Sequence, residues 1–392
     1  MAKILLVDTN FSSIPIHEAL VQAGHDVHVV GASPGDALAK ISSKYFCLDY
    51  SNVFALRNFV QEQGIEYLVP GCTDRSYESC VTVGQGAAIW LGDCPQAHDF
   101  ISNKSSFRQV AERLGLPVPV VFSESEACLA KAPIIVKPVD SFSGRGMTIL
   151  DRPNVMGVAE AMSKAKEASP TGHCLIEQFV EGQLYSHSAF FQNGKVVVDF
   201  IVQEDCTVNP FAVDTSRLIN SGVEDLRIDL RKCMEELANE LCLVDGLLHT
   251  QFIHNGRQFW LIESTRRCPG DLYAQLIEMS SGFPYAEFYA AHFLGKITGV
   301  PETKWIRPII RHTISVGREQ SLIGLGFSRA VHVECYIPIK SVGDDLGVGA
   351  KGRVGLIFFR DTEFKESDDL YQAILRKDLY KVFPSFNEAC LP

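Results

Sequence analysis

The stretch from Pro133 to Met147, PIIVKPVDSFSGRGM, limits the fold more than any other. Ile134, Ile135 and Val136 are β-branched, and such a run packs best as a buried strand. Lys137 and Pro138 end it, since proline has no N–H to continue a sheet ladder. The lysine is expected to point out at the strand end. A loop of small residues follows, with Ser141, Ser143, Gly144 and Gly146. Glycines let backbone N–H groups approach phosphate oxygens, and a lysine adds a point charge. The combination suits a nucleotide phosphate. It is not a Walker A loop, because the lysine precedes the glycines and no Gly-Lys-Ser/Thr follows. An ordinary turn after a strand has the same composition, so the flanking segments must decide.

Those segments alternate. Lys3 to Asp8 reads as a buried parallel strand, followed by a turn at Thr9 to Ser13 and a helix from Pro15 to Ala23. Gly24 stops that helix, and His25 to Val30 is the next strand. Phe54 to Gln63 is a helix ended by Gly64, and Tyr67 to Pro70 is a third strand. This alternation means an open parallel sheet, a Rossmann-like unit. The first turn carries TNFSS and lacks G-x-G-x-x-G, which argues against a dinucleotide, although this edge can still line a ligand cleft. A capped helix is expected at Ser102 to Leu114, another near Val155 to Ala168, and a strand at Cys174 to Gln178. Asn193-Gly194 and Asn255-Gly256 mark two hairpins. Asp225 to Leu241 reads as an amphipathic helix, and further helices are expected at Ala274 to Met279 and Pro284 to Leu294. Beyond Gly299, strands HVECYIPI and VGLIFF and a helix near Asp368 to Leu379 read as a small α+β domain.

Composition narrows the classes. The 392 residues suggest two or three domains. A net charge of −11 argues against a nucleic-acid surface. No apolar run approaches the roughly 20 residues that cross a bilayer, and MAKILLVDTN is no signal peptide. The 12 cysteines include no Cys-x-x-Cys pair and sit singly in apolar segments, as at Cys128, Cys174 and Cys242. Reduced, mostly buried thiols in a cytoplasmic protein are expected.

With these pieces in order the chain resembles the ATP-grasp ligases, from the N-terminus to about residue 298. The resemblance implies a pre-ATP-grasp α/β domain (1–101), an ATP-grasp domain (102–298, with a lid at about 120–185) and a C-terminal α+β domain (299–392). It implies ATP and Mg²⁺ as cofactors and a small carboxylate and an amine as substrates. Neither nucleic acid nor membrane is implied as a partner, and a homodimer is possible. Four motifs carry it. Asn103-Lys104 with Phe107, before GLPVP, resembles the first nucleotide lysine site. Lys137 and Ser143-Gly144-Arg145-Gly146-Met147 resemble the second lysine and the lid loop. LIEQFVEG resembles the adenine hinge. Its backbone near Gln178, Phe179 and Val180 would pair with the adenine edge. Glu177 would face the amino group, and Glu181 or Gln183 the ribose. WLIESTRR resembles the metal and phosphate strand, family form E-x-N-x-R, with Glu263 on Mg²⁺ and Arg267 on the transferred phosphate.

The residues suit these roles. Mg²⁺ takes one or two carboxylates plus phosphate oxygens, and the alternative partners for Glu263 are Arg266 and Arg267. The planar fork of Arg267 fits phosphate. Three positions depart from the family form. Gln251 stands where a second metal carboxylate is usual, Thr265 where asparagine is, and Leu184 where a ribose glutamate is. Gln251 and Thr265 would offer only neutral oxygens to the metal. His249 alternates with Gln251 on its strand and reads as structural or site-facing. Arg217 and Arg311 read as surface residues that could grip a substrate carboxylate. RRCPGD, 266–271, is expected to shape the acceptor pocket. The implied activity is phosphorylation of a carboxylate by ATP and attack of an amine on the acyl phosphate, with an amino-acid ligase preferred. A purine-pathway or biotin-carboxylase-type enzyme, or a nucleotide-binding protein without catalysis, is the alternative.

Overall fold

The computed structural model describes residues 1–141, 144–296, 299–305, 307–360 and 367–384. The N-terminal segment builds a parallel sheet from β1 (Lys3–Val7), β2 (Asp26–Gly31), β3 (Tyr45–Cys47) and β4 (Tyr67–Pro70), in the order β3-β2-β1-β4. Helices α1 (Ile14–Gln22), α2 (Ala37–Ile41), α3 (Val53–Glu62) and α4 (Asp74–Val83) follow the strands in turn. Both faces of β1 are covered, which is why its apolar run does not alternate. Ile4 and Leu6 pack in one core with Ile16 and Leu20, and Leu5 and Val7 in another with Leu56 and Val60.

The capped helix expected at Ser102 to Leu114 is α6 (Lys104–Arg113), and a further helix, α5 (Pro95–Ser102), precedes it. Asn103 separates them in an extended conformation, and its side chain caps α6 by accepting from the Ser105 and Ser106 N–H groups. The proline at the start of α5 was the overlooked signal. The lid follows, with α7 (Glu124–Leu129), β5 (Ile134–Pro138), β6 (Thr148–Leu150), α8 (Val155–Ala168) and β7 (Cys174–Gln178). Its sheet runs β6-β5-β7, antiparallel throughout. Ile134, Val136 and Ile176 meet Val158, Ala161 and Ala165 of α8 in a small core.

The largest sheet has eight strands in the order β12-β11-β8-β9-β10-β13-β18-β16. It comprises β8 (Gln183–Gln192), β9 (Lys195–Asp205), β10 (Thr215–Ile219), β11 (Gly246–His254), β12 (Phe259–Thr265), β13 (Ile309–Ser315), β16 (His332–Pro338) and β18 (Arg353–Arg360). Asn193 and Gly194 both take positive φ, 52° and 72°, which closes the β8–β9 hairpin with its right-handed twist. Helix α9 (Glu224–Glu240) covers one face, and α10 (Tyr273–Ser281) with α11 (Tyr285–His292) covers the other. Two short ribbons, β14 (Gln320–Ser321) with β17 (Asp345–Leu346) and β15 (Gly324–Phe327) with β19 (Tyr380–Phe383), flank α12 (Ser367–Leu375). Of the strands after residue 299, β13, β16 and β18 thus extend the large sheet, while the others pair only in the two ribbons. Only their core, with Ile357, Phe359, Tyr371 and Ile374, is separate. Among the described residues no helix is long and apolar enough to cross a membrane. Among the described residues the cysteines are free, but Cys242 is exposed and Cys128 and Cys174 are half-buried; Cys72, Cys80 and Cys268 are the buried ones.

A buried ion pair joins the N-terminal unit to the large sheet. Asp93, before α5, accepts from Arg266 Nε at 2.7 Å, Tyr77 Oη at 2.9 Å and Val244 N at 3.0 Å. Arg266 also donates to Val244 O at 2.6 Å. Removing one partner of such a pair leaves an uncompensated charge. Asp93→Asn is therefore expected to cost about 3–5 kcal/mol. Thermal melting checks this, and an unchanged midpoint would show that the pair does not hold the units together.

Candidate nucleotide and metal site

Lys137 does not point out of its strand. It is 3% exposed, and its ammonium contacts Glu177 on the neighbouring β7. The other oxygen of Glu177 accepts from Arg108 Nε of α6. Arg108 Nη2 continues to the carbonyl of Ile262 in β12 at 2.7 Å, while its Nη1 is buried with no partner among the described residues. Lys137 lies on the central strand of the lid sheet, two residues from Ile135, the register partner of Glu177, so the two side chains share one face. Burial pulls the Lys137 ammonium below its ordinary range, against the opposing pull of Glu177. Burial alone would raise the Glu177 carboxyl, but Lys137 and Arg108 outweigh it and hold the carboxyl low. Two cations around one carboxylate leave a net positive charge. The Glu177 side chain is held in that triad by both of its oxygens.

The hinge backbone is also partly committed. Gln178 N donates to Val120 O at 2.8 Å and Phe179 N to Pro133 O at 3.0 Å. Val180 N takes no hydrogen bond among the described residues, which makes it the hinge donor left for a base edge. Gln183 Nε2 donates to the carbonyls of Leu184 and Glu204, so its donors are spent within the sheet. Exposed Glu181 remains for hydroxyl groups.

Lys104 stands at the first position of α6. Its Nζ donates to Ser141 O at 3.0 Å and lies 3.5 Å from Glu263 Oε2. Neither Arg266 nor Arg267 is the close partner of Glu263, whose side chain is 47% exposed. The α6 N-terminus thus ties the lid loop to the metal strand. Gly144 and Gly146 take φ of 71° and 78°, and a Cβ on Gly144 would lie 2.1 Å from Phe211 Cβ. Met147 N donates to Gly144 O at 3.3 Å. Ser143 lies outside the described residues.

On the large sheet Glu263 faces Gln251, and Thr265 faces His249, in direct β12–β11 register. Arg267 Nε donates to Asp74 at 2.7 Å, at the start of α4. Burial works against the Arg267 charge, and Asp74 more than offsets it. The Thr265 hydroxyl is 3.4 Å from the same Asp74 oxygen. His249 Nδ1 shares a hydrogen bond with Ser188 Oγ at 2.8 Å, and burial pushes its pKa down to about 3, so it is a neutral structural histidine. Arg311 is buried, donating to Asp271 O and Ser216 Oγ at 3.1 Å each. Asp74, Arg108 and Glu204 are site residues that motif spacing did not suggest. Glu204 of β9 accepts from Gln251 Nε2 and Ser186 Oγ, both at 2.8 Å. Burial pushes its carboxyl up to about 7, against those hydrogen bonds. A separate cleft of about 480 Å³ lies at the carboxyl ends of β1 and β2, lined by Asp8, Asp36, Tyr50 and Arg75 among others.

Residues 130–274 match the ATP-grasp domain family model. The chain is 24% identical to the formate-dependent phosphoribosylglycinamide formyltransferase of Methylococcus capsulatus, over 46% of either chain. It is 24% identical to the phosphoribosylamine–glycine ligase of Pyrococcus horikoshii, over 78% of this chain and 76% of that one. The chain therefore spans about half the length of the first relative and three quarters of the second. In structure it resembles the L-amino acid ligase of Bacillus licheniformis, with a TM-score of 0.80 over 98% of this chain and 99% of that one, at 15% identity. The fold is the ATP-grasp fold.

The two carboxylates differ in what they hold. Glu177→Gln strands two buried cations and is expected to cost about 3–5 kcal/mol. Glu263→Gln, at a half-exposed position, is expected to change stability by less than about 0.5 kcal/mol. Equal melting shifts for the two variants would contradict this division.

Proposed function

We propose that this chain, which carries an ATP-grasp domain at residues 130–274, is an ATP-dependent carboxylate–amine ligase. The observation that carries the reading is three cations, Lys104, Lys137 and Arg267, gathered around a site with one half-exposed carboxylate, Glu263. Arginine and lysine around a water-accessible carboxylate suit a metal-bound polyphosphate. The donor set fits. Arg108 Nη1 is a buried donor in want of an acceptor. Mg²⁺ leans on phosphate and water and needs only one or two protein carboxylates. Glu263, Gln251 and Thr265 would hold it, and when bound it supplies charge neutralisation to the phosphates.

ATP is the co-substrate. Its terminal phosphoryl group passes to a substrate carboxylate, giving an acyl phosphate and ADP. An amine then attacks the acyl carbon, forming the amide and releasing phosphate. Lys104, Lys137 and Arg267 stabilise charge on the group in transfer, because fixed charges in a dry site need no reorganisation. The lid loop around Gly144 excludes water, which would otherwise hydrolyse the acyl phosphate. Asp74 keeps Arg267 protonated and oriented. An amino-acid pair is the substrate class that the likeness to L-amino acid ligase supports.

Phosphate release from Mg-ATP, screened against mixtures of amino acids and other small carboxylates and amines, tests this. Release that depends on both a carboxylate and an amine is expected, and Glu263→Gln is expected to abolish it with the fold intact. Release that needs no amine, or a Glu263→Gln enzyme as fast as the parent, would refute the assignment.

A further inference from the structure

We propose that Glu204 is a positioning residue for the metal end of this site, acting through Gln251; the proposal rests on the ligase reading above. Gln251 occupies the strand position directly opposite Glu263. A neutral amide there is a poor ligand for a hard cation unless its oxygen is oriented and polarised. The structure supplies both. Gln251 Nε2 donates to Glu204 Oε2 at 2.8 Å. Ionised, Glu204 only accepts, and the NH₂ end of the amide faces it. Gln251 Oε1 is then the free end, and it takes no hydrogen bond among the described residues.

Glu204 is itself fixed. Its Oε1 accepts from Ser186 Oγ at 2.8 Å, which uses the only proton of that hydroxyl. Ser186 Oγ must therefore accept from Tyr273 Oη, 2.9 Å away. With Glu204 ionised, the donor order runs from Tyr273 through Ser186 to Glu204, and from Gln251 to Glu204. Glu204 comes from β9, two strands away from Gln251, with β8 between them. It is 4% exposed. A buried carboxylate held by neutral donors is costly, and Arg311 donates its own hydrogen bonds to Asp271 and Ser216. When Glu204 is ionised, the negative charge missing from β11 lies one hydrogen bond behind it, where it pushes electron density towards Gln251 Oε1.

The test uses the full chain and Mn²⁺ in place of Mg²⁺, with binding followed by electron paramagnetic resonance in the presence of ADP. Metal-free ADP affinity is measured beside it by calorimetry. Glu204→Gln is expected to weaken Mn²⁺ binding about 10–100-fold, the range for outer-shell partners, and to leave metal-free ADP binding unchanged. The exchanged pair Glu204→Gln with Gln251→Glu keeps the hydrogen bond and returns the carboxylate to β11. It is expected to restore Mn²⁺ affinity. If Glu204→Gln binds Mn²⁺ like the parent, the positioning role is overturned while the ligase reading stands. If Glu204→Gln lowers melting temperature and ADP affinity together and the exchange rescues neither, Glu204 is structural and the proposal is overturned. If the parent binds neither ADP nor Mn²⁺, both readings fail.

Discussion

One carboxylate without access to water holds the nucleotide side of the molecule together. Glu177 sits between Lys137 and Arg108, and Arg108 reaches on to the backbone of Ile262. Through these contacts the lid strands β5 and β7, the helix α6 and the edge strand β12 meet at one point. Such a triad gains little net stability over apolar packing, since desolvation cancels much of the attraction. What it does is fix direction. Lys137 cannot swing to solvent while Glu177 holds it, so its remaining protons point into the protein at the lid's root. The positive excess of the triad is what makes the place fit for phosphate.

Much of the fold was legible because its strands and helices are punctuated by glycine, asparagine and proline. The two hairpins at Asn193-Gly194 and Asn255-Gly256, and the α8 helix, follow from local chemistry. Helix α5 was harder, since it ends at Ser102, directly before the Asn103 that caps α6. The C-terminal strands read as a separate domain because pairing order is a long-range property: nothing local says that β13 will lie beside β10. The motif residues could be chosen by resemblance, but their partners could not. Arg108 meets Glu177 across 69 positions, and Asp74 meets Arg267 across 193. The inward turn of Lys137 was likewise invisible, because strand-end position says nothing about what packs on the edge.

Two adjacent arginines show how one stretch serves two purposes. Alternation along an extended chain sends Arg266 and Arg267 to opposite sides. Arg266 is sunk against Asp93 and carbonyls of the 244–245 turn, a structural clamp. Arg267, one-fifth exposed, meets Asp74 at the first turn of α4, where a helix N-terminus favours an acid. The N-terminal unit is therefore held by one arginine and contributes a carboxylate to the site through the next. It does more than cover the sheet.

The same division explains why the site is uneven in charge. On the large sheet, the positions nearest solvent carry Glu263 alone, while the acidic group that its neighbour lacks lies deeper, on β9. A surface carboxylate is free to exchange water for metal and phosphate oxygens, and it costs the folded chain little. A buried one cannot exchange partners, so its effect must pass through the group it holds. Gln251 is that group, and its amide is the only part of the Glu204 network that β11 presents opposite Glu263.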